Sequence, residues 1–321
     1  MELNQALLTQ LKNDDQLLDR VKVEDLLLVA LGVRPAATVV VPAELPDGPQ
    51  LGATIDRLFA ARYYSGEDPR AGAMGRVMTR ARYAMRRAAS TPLAYQAGLV
   101  RETTDQVLRE APTMKALLDW QQRLGLDSYR GEARPSLQEL HVFRQGDQPT
   151  LTRVQAVAGR REEIRHRKAP RPRSQAELIF PEEFDPEYVQ MAGATLGYPD
   201  CCVAAFVADR RQGQVPELRL AGAMAAGRAT GQEPDVFAFF VQDFIPCSPH
   251  CPQAAALGHL AWNHLADTDP RLADSYRRGL EQNSQRVERY PQLQRERQAA
   301  LQERLGELGL AGGTPPPPSG Q

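Results

Sequence analysis

The sequence predicts a mainly helical α+β protein, with a short sheet or hairpin and a C-terminal helical domain holding a cysteine motif. Three observations lead there. Apolar residues recur at three- and four-residue spacing through most of the chain. Only short β-branched runs interrupt that pattern, at Thr38 to Val41 and after Leu140. The 321 residues are 42% hydrophobic and 25% charged, an ordinary globular composition with enough chain to bury a large core without disulfides.

The elements follow in order. Leu7, Leu8 and Leu11, then Leu17, Val21, Leu26 and Leu27, read as one or two helices stopped by Gly32 and Pro35. Thr38 to Val41 is a strand ended by Pro42, followed by a Pro/Gly loop and a helix over 53–63. Residues 73–89 make an amphipathic basic helix, with Val77, Met78, Ala81 and Met85 on one side and arginines around the rest. Helices follow over 101–110 and 113–124, the second closed by Gly125. LHVFR, QGDQP and TLTRVQAV have the alternation and turn residues of a β-hairpin over 136–158. Residues 159–175 hold seven Arg/Lys against two Glu, and 159–178 reads as a basic linker or mobile loop. The expected division is therefore 1–135, an N-terminal helical region with a short strand; the hairpin; the linker; and 179–308, the helical domain.

Within that last domain, Asp185-Pro186 opens a helix that Gly197 ends, and Pro199 opens the next, through Arg211. Helices over 217–230, from Pro252 to about Leu265, from Asp269-Pro270 and over 285–308 complete it. VFAFFVQDFI (236–245) is a buried strand or helix, undecided by periodicity. The tail 309–321, AGGTPPPPSGQ at its end, is expected to be disordered.

The net charge of −1 argues against a polycation or an acidic tail. Only Lys12, Lys22, Lys115 and Lys168 are lysines among 39 basic residues, a coding bias that discounts arginine enrichment as a signal. The longest apolar run, Leu26 to Val33, is far short of a membrane span of about 20 residues. The first residues, MELNQALLTQLKNDDQ, lack a signal-peptide pattern. The expectation is a cytoplasmic protein with reduced thiols and no membrane partner.

All four cysteines lie in two segments, LGYPDCCVAAF (196–206) and DFIPCSPHCPQA (243–254). Each places thiols beside a proline at an expected helix start, where free N–H groups and the dipole favour thiolate. Cys247 and Cys251 have the spacing of structural zinc sites. Cys201 and Cys202 diverge on a regular helix but reach one centre if the helix begins between them. Four thiolates suit a zinc ion or a 4Fe-4S cluster, with His250 as a substitute ligand. The alternatives are buried small hydrophobes, disulfides, and a redox or nucleophilic thiol without metal. His141, His166, His259 and His264 read as structural.

These residues resemble a family of uncharacterised archaeal and bacterial proteins. The resemblance is carried by Leu196, Gly197, Tyr198, Pro199, Cys201 and Cys202, then by Phe244 to Pro249 with Cys251, and by Tyr276. It covers about 180–280 and implies that the four cysteines act together. It implies no reaction.

Arg76, Arg80 and Arg87 on the basic helix, and Arg160, Arg161, Arg165 and Arg167 in the linker, have the charge to meet nucleic-acid phosphates. No aromatic RNA-binding set or finger helix accompanies them. Walker, dinucleotide, zincin and nucleophile-elbow motifs are absent from the sequence. Glu182, Glu183, Asp185 and Glu187 read as helix-start acids. The leading reading is a metal- or iron–sulfur-binding protein, with small-molecule or macromolecular partner, catalytic role and oligomeric state left open by the sequence. The alternatives are a nucleic-acid-associated protein acting through its arginines and a thiol redox protein.

Overall fold

A computed structural model describes residues 4–65, 72–89, 91–167, 177, 179–242 and 244–307. The architecture is mainly helical α+β. The helices are α1 (Gln5–Asn13), α2 (Leu28–Ala30, continuing a π-helical stretch Val21–Leu27), α3 (Gly48–Ala60), α4 (Ala73–Ala89), α5 (Pro92–Glu110) and α6 (Pro112–Arg123). After the sheet come α7 (Gln148–His166), α8 (Pro186–Leu196), α9 (Asp200–Arg211), α10 (Pro216–Ala229), α11 (Pro252–Thr268) and α12 (Pro270–Glu307). No helix among the described residues is long and apolar enough to cross a membrane.

The sheet is antiparallel, in the order β1 (Ala36–Val41), β3 (Leu137–Arg144), β2 (Leu126–Arg134). Its pleat sends alternate side chains to opposite faces. Val39 pairs with Leu140, and both join the main core with Val41 and Val142. The other face carries Thr38, paired with His141, and Val40, paired with Glu139. Helices α7 and α8 cover that second face, where Ala36, Phe143 and Val154 form a smaller cluster against Leu151 and Leu196. One buried cluster takes residues from both halves of the chain, from Leu8 and Val39 to Cys202, Cys251 and Leu280.

Two expectations are corrected. The hairpin is β2–β3, not a strand pair over 136–158, because residues 148–166 are helical. Asp147 caps that helix by accepting from Thr150 N at 3.0 Å, and Pro149 occupies its first turn. Val154, Val157 and Arg161 are buried at helical spacing. The alternation read over 150–157 spans barely two turns, too short a window to separate the two periods. The first eight residues of the expected linker belong to the same helix. Residues 168–176 and 178 lie outside the described residues, as does the tail. VFAFFVQDFI resolves as a one-turn 3₁₀ helix, Val236–Phe239, capped by Asp235 and followed by irregular chain. The segments from Pro270 and over 285–308 form the one helix α12.

Close backbone approach sets the position of that irregular chain. A Cβ on Gly258 of α11 would stand 2.2 Å from the carbonyl oxygen of Phe237. Gly258→Ala is expected to force the two apart and cost about 1–3 kcal/mol, read by urea unfolding. A wild-type midpoint would show that the contact yields freely.

Candidate metal centre

Local sequence brings the four thiols to two helix starts. Gly197 takes a left-handed conformation, φ +74°, that closes α8, and Tyr198-Pro199 leads directly into α9. Cys201 and Cys202 occupy its first turn. Cys251 is the residue before α11, whose first helical position is Pro252. The intervening loop is held from outside: Arg219 donates to the carbonyls of Cys247 at 2.6 Å and Pro246 at 3.3 Å, and Asp209 accepts from Arg219 at 2.7 Å. Tyr276 donates to the carbonyl of Phe240 at 2.6 Å, fixing the same chain upstream.

The sulfurs converge. Cys251 Sγ lies 3.5 Å from Cys202 Sγ and 3.6 Å from Cys201 Sγ. Cys201 Sγ is 3.8 Å from Cys202 Sγ and 3.9 Å from Cys247 Sγ, and all four sulfurs fall within 4.8 Å of one another. These separations are far beyond a disulfide bond of about 2.05 Å, and all four thiols are free. The centre sits off the N-termini of both α9 and α11, so two helix dipoles favour negative charge there. The Cys247 N–H donates to Cys202 Sγ at 3.3 Å.

Charge on the sulfurs is nevertheless unequal. Burial pushes the Cys202 thiol up, with little relief from the Cys247 N–H. Burial and the neighbouring thiol of Cys251 raise Cys247 to about 11. Burial works the same way on Cys251, but the Ala254 N–H and the adjacent thiols outweigh it and hold this sulfur below the ordinary thiol value. Four thiolates packed this closely need a cation between them to be charged together.

His250 is exposed and does not join the converging group. His259 stacks on Phe237 at 3.9 Å between ring centres, and His166 meets Glu162 at 2.8 Å. The described arginines of the expected linker are each matched by a carboxylate. Arg160 reaches Asp185 Oδ2 at 2.8 Å, Arg161 reaches Glu139 Oε2 at 2.6 Å, and Arg165 and Arg167 lie 3.9 and 3.5 Å from Glu132 and Asp185. Arg80 and Arg87 are exposed on α4, beside a hollow lined by Tyr63, Tyr64 and Tyr83; the side chain of Arg76 lies outside the described residues.

Sequence reasoning missed a second feature beside the centre. Between the polar face of the sheet, α7 and α8 lies a cavity of about 410 Å³. It shares Glu183, Tyr188, Ala192 and Tyr198 with a smaller hollow of about 180 Å³ whose wall includes Cys202. Arg161 donates to both oxygens of Glu139 and to the Tyr188 hydroxyl. Burial alone would raise Glu139, but His141, 3.4 Å away, and Arg161 hold it down from 4.5 to about 2. Burial raises the Tyr188 phenol to about 12, so it stays protonated. The available signal was strand β3, whose alternate residues Glu139 and His141 are polar and titratable, followed by a helix carrying Arg161.

A depressed carboxylate stabilises the fold above its ordinary value and loses that effect as pH falls through its folded value. For Glu139 the window runs from pH 4.5 down to about 2. The effect is about 3 kcal/mol at neutral pH. Comparing urea unfolding of the wild type with Glu139→Gln across that window should show the difference shrinking in acid; a constant difference would remove the assignment.

No family model matches the chain, and neither does any curated protein or solved structure.

Proposed function

We propose that this protein binds one zinc ion through Cys201, Cys202, Cys247 and Cys251, as a closed tetrathiolate centre that ties α9 to the loop before α11. The supporting observation is the sulfur spacing. Thiolates around one zinc at bonds of about 2.3 Å stand about 3.8 Å apart in a tetrahedron. Four of the six distances, 3.5 to 3.9 Å, match that arrangement, and all six lie within 4.8 Å. A four-iron cluster binds each thiolate to a different iron and spreads the sulfurs more widely. Gln253, whose Oε1 is 3.2 Å from Cys201 Sγ, would turn its amide nitrogen toward a charged sulfur. The residues that carry the family resemblance are the ones that build this centre, and on those residues we extend the same role to that family.

A filled four-thiolate site leaves no open coordination position, so zinc here serves local order and not catalysis. Metal analysis of the full chain, purified without added metal and without oxygen, tests the reading. About one zinc per chain is expected, and cobalt(II) in its place should give the visible absorption of a tetrahedral thiolate site. Iron with acid-labile sulfide, or a chain without stoichiometric metal, would overturn it.

A further inference from the structure

The basic helix α4 docks differently from what its apolar stripe predicts. Val77, Met78 and Met85 are each at least 65% exposed. The buried contact comes instead from Tyr83, which clusters with Tyr95 and Leu99 of α5 against Phe59 and Tyr63. Arg80, Tyr83, Ala84 and Arg87 share one face at three- and four-residue spacing. With Arg62, Tyr63, Tyr64 and Tyr95 they line a hollow of about 470 Å³. Its floor is fixed. Tyr63 stacks on Phe59 at 5.4 Å between ring centres, leans on Tyr95 at 5.9 Å, and accepts from Gln96 Nε2 at 3.0 Å. Arg62 is buried and donates to Thr103 Oγ1 at 3.0 Å. The rim faces water. Tyr64 meets Tyr63 edge-on at 5.0 Å and is 79% exposed. Arg80 and Arg87 are exposed, and the Arg87 guanidinium stands 5.7 Å from the Tyr63 ring centre. None of the described residues lining the hollow is acidic. Glu102 of α5 engages Arg82 and Arg86, and among the described residues no carboxylate pairs with Arg87.

An open tyrosine face with guanidinium groups at its edge calls for a flat ring that carries negative charge. Guanidinium donors match phosphate oxygens in geometry and charge. Arg80 and Arg87 are seven residues apart, two turns or about 10 Å along the helix, which is more than one phosphate group spans. Successive phosphates of a strand can reach both. A duplex keeps its bases stacked on one another, whereas a single strand offers a free base to Tyr64. We propose that this hollow binds single-stranded nucleic acid, with a base stacked on Tyr64 and the flanking phosphates at Arg80 and Arg87. Every base has a π-face, so the site tolerates sequence. The proposal is independent of which metal the cysteines hold.

The test is fluorescence anisotropy of a labelled oligothymidylate of about 12 nucleotides titrated with the full chain, at salt from about 50 to 200 mM. Saturable binding that weakens with salt is expected. Tyr64→Ala should weaken it about tenfold without changing the salt slope, and Tyr64→Phe, which keeps the ring, should bind as the wild type does. The side chain is exposed, so circular dichroism and melting should not move in either variant. Arg80→Gln and Arg87→Gln should each flatten the slope by about 0.7, the value of one phosphate contact on a single strand. Arg277→Gln, on α12 and outside the hollow, should leave the slope unchanged. The proposal falls if the strand does not saturate, if Tyr64→Ala binds as the wild type does, or if a duplex of the same length binds as tightly. Displacement by thymidine monophosphate at matched nucleotide concentration would make the ligand a free nucleotide and overturn the strand. Release of the strand by phosphatidylserine vesicles would assign α4 to a membrane surface and overturn it as well.

Discussion

A Cys251→Ala chain is expected to leave purification with well under one equivalent of zinc and to lose what remains to a mild chelator. Cys251 is the sulfur nearest to Cys202 and Cys201, at 3.5 and 3.6 Å, and it is 1% exposed. It is also the thiol that α11 holds closest to its charged form. Its loss removes one of four bonds and the best-prepared anion. The affinity should fall by more than the 10–100-fold that loss of a supporting partner costs. Competition with a chelator of known affinity measures the change. The fold should survive, because the buried cluster runs far beyond the centre and a chain of this length does not need a metal to fold. Far-UV circular dichroism near the wild-type spectrum, with a lower melting temperature that no longer responds to zinc, is the expected pair of results. Full zinc occupancy in this variant would show that the centre is not a four-cysteine site. Protons add a second test. At neutral pH Cys202 and Cys247 hold theirs, so zinc must displace them, and its affinity rises with pH and falls steeply in acid.

Arg161→Ala is expected to be the most destabilising substitution away from the cysteines, by about 3–5 kcal/mol. The guanidinium is buried, 7% exposed, with Glu139 in bidentate contact at 2.6 and 3.0 Å and Glu182 at 3.7 Å. Alanine would leave Glu139 buried with only His141 to hold its pKa down, and would release Tyr188 of α8 from its donor. The Arg161→Ala/Glu139→Gln double variant should recover part of the loss, since the orphaned charge is then gone. Urea unfolding of the two single variants and the double variant measures the coupling. Additive losses would show that the pair is not energetically linked.

What could be read from the chain differs by element. The helix from Pro186 to Leu196 and the one from Asp200 announce themselves through Asp185-Pro186, Gly197 and Pro199, because caps are local chemistry. The four cysteines could be located for the same reason, as two proline-braced segments at helix starts. The strand expected over 150–157 was misread because Val154 and Val157 fit a short alternation as well as a helix, and Asp147 settles the choice only once its capping bond to Thr150 exists. Arg160, Arg161 and Arg165 looked like a basic linker because their partners Asp185, Glu139 and Glu132 lie 25, 22 and 33 residues away in sequence.

By itself, the sequence determined a mainly helical α+β fold, the starts of α8, α9 and α11, and a cysteine constellation able to hold a metal. These rest on local signals: spacing, caps and the clustering of one residue type. Tertiary structure alone decided that the four sulfurs meet within 4.8 Å, that His250 stays outside, and that Glu139, His141 and Thr38 face a covered cavity and not solvent. The reason is that alternation in a strand separates two faces without saying what covers either one. Helices α7 and α8, packed on the polar face, turn what reads as a wet strand edge into a buried charge network around Glu139 and Arg161.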